Sequence, residues 1–198
     1  MALTEKAVRA SLNLPRTAFP MRAAAATREA PMAHRLTTQL YRRHREQCAA
    51  AVAASAGNGD VQAGASRRKP FVLHDGPPYA NGALHMGHYL NKVLKDVTNR
   101  IALLQGRDVT FVPGWDCHGL PIELKALVQA GGQAETGGGH TGMDPVEIRR
   151  LAQECALEAI AEQREDLVRW GIMADWSGAE GAIYRTMDKE YEAAQLGA

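Results

Sequence analysis

Two histidines, His85 and His88, have the types and the spacing to bind an anion. Residues three apart share one face of a helix, and the free amides and dipole at a helix N-terminus attract phosphate groups. Gly87, between them, leaves room for a ligand to approach the backbone. The pair could therefore stabilise the charge that rearranges on a phosphate during nucleotidyl transfer. A structural pair and a metal-binding pair are the alternatives, although the sequence offers no obvious third ligand nearby.

A second candidate centre is Asp116, which lies between Trp115 and His118. A carboxylate in such a loop could hold the ammonium group of a substrate. Other interpretations remain open. Asp116 could cap the helix that starts near Pro121, and Trp115 could pack in the core. His118 could be a core histidine whose ring nitrogens are hydrogen-bonded within the protein. Cys117 has no visible base partner, so a nucleophilic cysteine is not favoured.

Strand and helix signals alternate over the last two thirds of the chain, and they position both centres. In order, the pattern predicts a strand at 71–75, a helix from His85 that ends before Gly106, a strand at 108–112, a helix at 121–130, a helix that starts at Asp144 and runs to Trp170, a strand at 182–186 and a last helix after Asp188. This order predicts an α/β fold with a parallel sheet flanked by helices. Ligands bind outside the carboxyl ends of such strands, where both centres lie.

The amino-terminal region has a different character. Residues 1–47 are expected to form an arm, extended over 1–30, followed by a helix at about 32–47 that Pro31 could open. Residues 48–69 are rich in Ala, Gly and Ser and are interpreted as a low-complexity linker, although the alanines could extend the preceding helix. The Gly-rich stretch 131–142 is expected to be a loop.

Charge and cysteine content narrow the class of protein. The net charge of +1 conceals a basic amino-terminal part, with 12 Lys/Arg against 4 Asp/Glu over 1–70, and an acidic remainder, with 11 against 18. A basic arm can mark nucleic-acid binding or targeting, or can be a solvated arm without a partner. The three cysteines are far apart, which argues against a disulfide framework and a Cys-rich zinc site. No apolar run is long enough to span a membrane.

Two long motifs carry a resemblance to a known family. The segment 74–82 reads HDGPPYANG and is followed by the HMGH of 85–88, and the segment 114–123 reads GWDCHGLPIE. Both resemble the isoleucyl-tRNA synthetase family of class I enzymes, in its bacterial and organellar form, as do residues 12–17 and 19–22 of the arm. The resemblance implies that 70–198 is the first half of a Rossmann-like (HUP-type) catalytic domain, truncated at its end.

The resemblance also implies an activity, which is ATP-dependent activation of isoleucine to an adenylate and its transfer to tRNA(Ile). The residues expected to contact ATP are His85, Gly87, His88, Asn81 and Gly82, with His85 and His88 catalytic. The residues expected to hold the amino acid are Pro77, Trp115 and Asp116. ATP would enter with Mg2+ as a substrate complex, and no protein-bound metal is expected. The partners are then isoleucine, ATP and tRNA(Ile), the last mainly through other domains, with no membrane, in a full-length protein that is a monomer.

Several family features do not follow in the 198 residues, including the Lys-Met-Ser-Lys-Ser loop and the editing and anticodon-binding domains. The chain is therefore expected to be an amino-terminal fragment that is inactive or very weak alone. Alternatives are a non-catalytic fragment that binds ATP or isoleucine, a related Val or Leu synthetase, and a small free-standing nucleotidyltransferase. The bacterial-type motifs and the basic arm predict a mitochondrial matrix protein, with a bacterial-type cytoplasm as the alternative.

Overall fold

The computed structural model describes residues 4–13, 17–18, 22–57, 68–129, 144–179 and 181–198. The helices are α1 (Glu5–Ser11), α2 (Ala25–Arg35), α3 (Tyr41–Gly57), α4 (Met86–Leu104), α5 (Leu120–Gln129), α6 (Pro145–Arg169) and α7 (Lys189–Leu196). A π-helical turn, Leu36–Leu40, joins α2 to α3. The strands are β1 (Pro70–Val72), β2 (Asp108–Thr110), β3 (Gly114–Trp115) and β4 (Tyr184–Arg185). Within the described ranges, no helix is long and apolar enough to cross a bilayer.

The strands pair in parallel, which confirms the predicted α/β class. Strand β1 pairs with β2, with Phe71 opposite Val109, and α4 connects the two. Strand β3 pairs with β4, with Gly114 opposite Tyr184. The described strands form two separate two-stranded sheets. The first motif follows β1 and the second begins at β3, near the carboxyl ends where ligands bind in α/β folds.

The amino-terminal arm is more helical than its prolines indicate. The predicted extended arm over 1–30 is wrong at Glu5–Ser11 and from Ala25 onward, where α1 and α2 form, whereas residues 12–13, 17–18 and 22–24 are not helical. Pro31 lies inside α2 instead of opening it. Alanine has the highest helix propensity of any residue type, and several alanines precede Pro31. The helix therefore starts ahead of the proline and tolerates the loss of the one backbone hydrogen bond that proline cannot donate.

Helix α3 corrects the predicted boundary between helix and linker. The helix continues to Gly57, so the first ten residues of the stretch 48–69 are helical rather than linker. Extension by the alanines, the alternative from the sequence, is the state that this part adopts, because Ala loses no side-chain entropy in a helix. Residues 58–67, the centre of the predicted linker, and the predicted loop at 131–142 lie outside the described residues.

Helix α4 is confirmed, but its buried face is not apolar. The apolar side chains that repeat at helical spacing along α4 are largely exposed. Their exposed fractions are 76% for Met86, 59% for Leu90, 58% for Leu94, 47% for Val97, 50% for Ile101 and 83% for Leu104. The buried residues are Lys92, Asp96, Asn99 and Ala102. Asp96 accepts a hydrogen bond from the Met173 amide at 2.8 Å and pairs with Arg100. Polar bonds therefore attach this face of the helix to the rest of the molecule.

Helix α6 begins as predicted. The Asp144 carboxylate accepts the Val146 amide at 3.1 Å, and Pro145 occupies the first turn. Glu147 does not complete a capping box, because its carboxylate pairs with Arg150 at 2.6 Å. The apolar face of α6 packs against α5 and both motif loops, in a core whose members are Ala80, Phe111, Trp115, Cys117, Ile122, Ala156, Ile160, Leu167, Ile172, Ala174 and Trp176.

A second, smaller core lies where α3 covers β2. Tyr41 is 3% exposed, and its hydroxyl accepts the Phe111 amide at 3.0 Å. Arg45, one turn further along, pairs with Asp108 at 2.6 Å. The long helix of the arm is thus anchored to the strand that leads into the second motif.

We predict that Tyr41→Phe lowers the free energy of unfolding by about 1–3 kcal/mol, because the buried Phe111 amide loses its acceptor. Urea unfolding followed by circular dichroism measures the change. Arg42→Ala, on the exposed face of the same helix, is the matched control and should shift stability by less than about 0.5 kcal/mol. Equal effects of the two substitutions would contradict the anchoring role of Tyr41.

Candidate active site

The two histidines cap helix α4 in a reciprocal arrangement. His85 is the N-cap, and its Nδ1 accepts the Gly87 amide at 3.0 Å. The Nδ1 of His88 accepts the His85 amide at 3.3 Å. The ring centroids are 3.9 Å apart, with an angle of 33° between the planes. Two imidazoles therefore occupy the positions that Ser or Thr and Glu take in an ordinary capping box.

This hydrogen-bond pattern assigns the tautomer of both rings. A neutral imidazole has one acceptor nitrogen and one N–H donor. Since Nδ1 accepts in His85 and in His88, the proton of each neutral ring lies on Nε2. The start of α4 then presents two Nε2–H donors beside the positive end of the helix dipole, a combination that suits the oxygens of an anion.

The environment of His88 favours its neutral form. Its pKa lies below the ordinary value of 6.5, first because burial disfavours the charged ring and then because His85 and Lys92 are close. His88 is therefore neutral at pH 7 and acts as a hydrogen-bond donor rather than as a fixed cation.

Gly87 leaves room for the His85 ring close to the backbone of α4. A Cβ on Gly87 would lie 2.9 Å from Cε1 and 3.0 Å from Nδ1 of His85. Any other residue would push the ring away from the amide that it accepts. The glycine of the motif thus serves the geometry of the histidine as well as the space around a ligand.

A buried carboxylate fixes the first loop to α4. Asp75 is 5% exposed and accepts hydrogen bonds from the ammonium groups of Lys92 and Lys95. Lys92 also donates to the Gly76 carbonyl at 3.3 Å. The two positive charges more than compensate the one buried negative charge, and they tie the start of the loop to the helix turn that follows His88.

A single buried amide connects the first loop to the second. Gln163 of α6 is 1% exposed. Its Nε2 donates to the carbonyls of Tyr79 and Gly82, at 2.9 and 2.6 Å. Its Oε1 accepts the indole N–H of Trp115 at 3.0 Å. One side chain therefore sets the position of both motifs.

Backbone pairing joins the same two loops at Asp116. The Asp116 amide donates to the Pro78 carbonyl at 2.9 Å, and its carbonyl accepts the Ala80 amide at 2.8 Å. The half-buried Asp116 carboxylate accepts the His118 amide at 3.4 Å. It does not cap α5, and no Lys or Arg of the described ranges pairs with it. This carboxylate is available to a cationic ligand.

The other residues predicted for the site are placed around these two centres. Pro77 is half-buried beside the buried Pro78. Asn81 contributes its carbonyl, which accepts a bond from Lys125 at 2.9 Å. Trp115 differs from the prediction: it is 0% exposed, its indole contacts protein groups, and the packing alternative describes it better than contact with a ligand.

The two residues that follow Asp116 in the second motif have protein partners. Burial raises the pKa of the Cys117 thiol, and the Cys117 backbone amide donates to the Thr186 hydroxyl at 2.9 Å. Both observations agree with a structural cysteine. His118 is exposed rather than a core residue, and its Nε2 lies 3.2 Å from the Thr186 carbonyl and 3.5 Å from Glu192.

No role was predicted from the sequence for Gln163, Lys92 or Lys95. Gln163 lies three and seven positions after Ile160 and Ala156, so it falls on the inward face of α6. A lone amide on an otherwise apolar face is a signal that could have identified it. Lys92 and Lys95 gave no such signal, because lysines are ordinary on a helix surface.

A possible cluster of metal ligands lies away from these loops. His44, Cys48 and Asp108 offer ligand atoms within 4.8 Å of one another. However, Arg68 lies 3.1 Å from Nδ1 of His44, and Arg45 pairs with Asp108 at 2.6 Å. Burial lowers the pKa of His44 and raises the pKa of the Cys48 thiol. The two cations and the neutral thiol fit a packing contact between α3 and β2 better than a metal site.

Comparison with known proteins gives the family context. Residues 59–198 match the family model described as tRNA synthetases class I (I, L, M and V). The chain is 56% identical over 129 residues to the mitochondrial isoleucine–tRNA ligase of Gallus gallus, which is 65% of this chain and 12% of that protein. It is 43% identical over 188 residues to the isoleucine–tRNA ligase of Cyanothece sp., which is 94% of this chain and 17% of that protein.

A solved structure supports the fold. The LeuRS of Agrobacterium radiobacter K84, in a ternary complex with tRNA and LeuAMS, matches with a TM-score of 0.50 and 21% identity, over 78% of this chain and 16% of that one. At this identity, the likeness concerns the fold alone, and it agrees with a partial Rossmann-like architecture. The chain spans 12–17% of the length of its two relatives above.

We predict that Gln163→Leu lowers the free energy of unfolding by about 3 kcal/mol or more, because two carbonyls and one indole N–H lose their partner in the core. Thermal and urea unfolding measure the loss, and near-UV circular dichroism reports the Trp115 environment. The control is Gln153→Leu, on the exposed side of the same helix, which should leave both signals unchanged. A tolerated Gln163→Leu would contradict the role of this amide.

We also predict that His85 and His88 are Nε2–H tautomers when neutral. Long-range proton–nitrogen NMR correlations at pH 8 identify the protonated nitrogen of each ring.

Titration should place the pKa of His88 below 6.5. Because His88 binds protons less readily when folded than when unfolded, its contribution to stability is present above pH 6.5 and is lost as the pH falls below that value. An Nδ1–H ring or a raised pKa would contradict the capping geometry.

Proposed function

Because this chain belongs to the family of class I tRNA synthetases, we propose that it forms part of an isoleucine–tRNA ligase. The reaction would be activation of isoleucine by ATP to isoleucyl-adenylate, followed by transfer to tRNA(Ile). The observation that supports this proposal most is the pair of Nε2–H donors at the start of α4. The first loop joins this pair to Asp116, whose carboxylate has no Lys or Arg partner in the described ranges. One centre suits phosphate, and the other suits an ammonium group.

The phosphate centre would stabilise charge by neutral donors. We assign the Nε2–H groups of His85 and His88 to oxygens of the ATP phosphates, with Gly87 facing the nucleotide. Donors that are held in place before the reaction stabilise developing charge without reorganisation. Both rings face the ligand with N–H groups rather than lone pairs, so they do not ligate a cation. Mg2+ would therefore enter with ATP and neutralise phosphate charge there.

The backbone of the first loop would form the nucleotide side of the site. We assign Asn81 and Gly82 to this surface. Their carbonyls are held by Lys125 and Gln163, which keeps the loop from moving when a nucleotide binds. Such preorganisation lowers the entropy that binding costs.

The amino-acid centre would combine one charge with an apolar wall. We assign the Asp116 carboxylate to the substrate ammonium group, because ionic hydrogen bonds are about twice as strong as neutral ones. Pro77 would line the pocket beside it. Trp115 would support Asp116 from the core through its bond to Gln163, rather than contact the amino acid.

The partners, the oligomeric state and the cellular location follow from the same proposal. The partners would be isoleucine, ATP and tRNA(Ile), and we propose a monomer. We place the protein in the mitochondrial matrix, because its amino-terminal part is basic and its identity to a mitochondrial relative is 56%. A bacterial-type cytoplasm is the alternative, since a bacterial relative is 43% identical over nearly the whole chain.

A second candidate function is binding of ATP and isoleucine without turnover. It is favoured by the pairing of Lys92 and Lys95 with Asp75, which commits these two cations to a carboxylate rather than to the charge of a phosphate. Isoleucine-dependent exchange of pyrophosphate into ATP separates the two candidates: robust exchange by this chain would exclude the non-catalytic function.

We predict that Asp116→Asn weakens isoleucine binding about tenfold or more, through loss of an ionic hydrogen bond, and leaves ATP binding within about twofold. His88→Ala should weaken ATP binding and leave isoleucine binding within about twofold. Isothermal titration calorimetry with each ligand measures both effects. Glu158→Gln, an exposed carboxylate on α6, is the control and should change neither affinity. A wild-type chain that binds neither ATP nor isoleucine would contradict the proposed function.

A further inference from the structure

Tyr184 lies beside the amino-acid centre, and no role above uses it. The parallel pairing of β3 with β4 places Tyr184 opposite Gly114. The Tyr184 amide donates to the Pro113 carbonyl at 3.1 Å, and the Thr186 amide donates to the Trp115 carbonyl at 3.1 Å. These bonds fix β4 to the strand that leads into Asp116, although the two segments are about 70 residues apart in the chain.

The ring of Tyr184 occupies the space where a side chain of residue 114 would be. A Cβ on Gly114 would lie 2.1 Å from Cε1 and from Cζ of Tyr184. Gly114 has no positive φ, so its backbone conformation does not require glycine. Glycine is required here by the close approach of the Tyr184 ring.

The alternation of side chains places Tyr184 and Asp116 on the same side of the strand. Residues two apart in an extended segment point to the same face and lie about 6.6 Å apart. Trp115 points to the opposite face, into the core, where it is 0% exposed. The direction from Gly114 toward the Tyr184 ring is therefore also the direction in which the Asp116 side chain projects.

The ring is held in place, whereas its hydroxyl is unpaired. Tyr191 of α7 stacks on Tyr184, with ring centroids 5.7 Å apart and an angle of 7° between the planes. In the described part of the chain, no hydrogen bond involves the Tyr184 hydroxyl. The pKa of Tyr184 is raised, first by burial, then by Tyr191 and by the carboxylates of Asp75 and Asp116, so the hydroxyl stays neutral.

Only one of those two carboxylates can attract a cationic ligand. Asp75 is already paired with Lys92 and Lys95, whereas Asp116 has no cationic partner in the described ranges. A ligand ammonium that binds Asp116 would therefore enter the space that the Tyr184 ring borders. A neutral phenol offers such a group an oxygen acceptor and an aromatic face.

We propose that Tyr184 is a further substrate-binding residue, which forms with Asp116 the subsite for the ammonium group of the amino acid. This inference rests on the proposed function and extends its binding site to β4. Gly114 is then part of the same subsite, since it makes room for the ring. The stacked Tyr191 is a positioning residue, because it acts through Tyr184.

The test measures isoleucine and ATP affinities of Tyr184→Ala, Tyr184→Phe and Asp116→Asn in the full chain by isothermal titration calorimetry. Tyr184→Ala should raise the Kd for isoleucine about tenfold and leave the Kd for ATP within about twofold. Tyr184→Phe keeps the ring and the packing on Tyr191, so it should raise the isoleucine Kd by a smaller factor. The double variant of Tyr184→Ala and Asp116→Asn should show less than the product of the single effects, because both residues bind one group.

The outcomes separate this inference from the proposed function. An isoleucine Kd within twofold of wild type in Tyr184→Ala, or equal losses of isoleucine and ATP affinity, would overturn the role of Tyr184 and leave the proposed function standing. If Tyr184→Ala fails to fold, the decision passes to Tyr184→Phe combined with Asp116→Asn: strictly multiplicative effects would overturn the role, and coupled effects would support it. A wild-type chain that binds neither ligand would contradict the proposed function itself.

Discussion

The buried amide of Gln163 is the constraint on which both motif loops depend. It is 1% exposed and has hydrogen bonds at both ends of its amide group. A buried polar group must be satisfied or it destabilises the fold, so the amide imposes a fixed distance between Trp115 and the carbonyls of Tyr79 and Gly82. The two loops consequently keep one relative position, which is the requirement for a site that binds two reactants.

Charge is distributed differently at the two ends of this arrangement. On the phosphate side, the donors are neutral imidazoles whose Nδ1 atoms are occupied by the backbone of α4. The lysines close to them, Lys92 and Lys95, are directed to Asp75 instead. At the second centre, the Asp116 carboxylate has no Lys or Arg partner within the described ranges. The two centres thus suit an anionic group and a cationic group at separate points.

The exposed apolar stripe of α4 shows that a correctly predicted helix does not always bury its apolar face. The repeat of Leu90, Leu94, Val97 and Ile101 has helical period, and the helix is present. Yet Asp96 and Lys92 are buried, and the apolar residues are largely exposed. Periodicity reports that one face differs from the other, but which face is covered depends on the partners that the rest of the polypeptide supplies.

The sequence alone determined the α/β class and the described helices after residue 70, because capping, turn chemistry and side-chain spacing are local properties. The site roles of His85, His88 and Asp116 remain predictions. The sequence did not determine the helix at 48–57, where propensity outweighed low complexity, or the burial of Trp115. Only the tertiary structure decided the placement of Gln163 and Tyr184 beside the motif loops. Their contacts join residues about 50 to 80 positions apart, and no local pattern encodes which distant segments will meet.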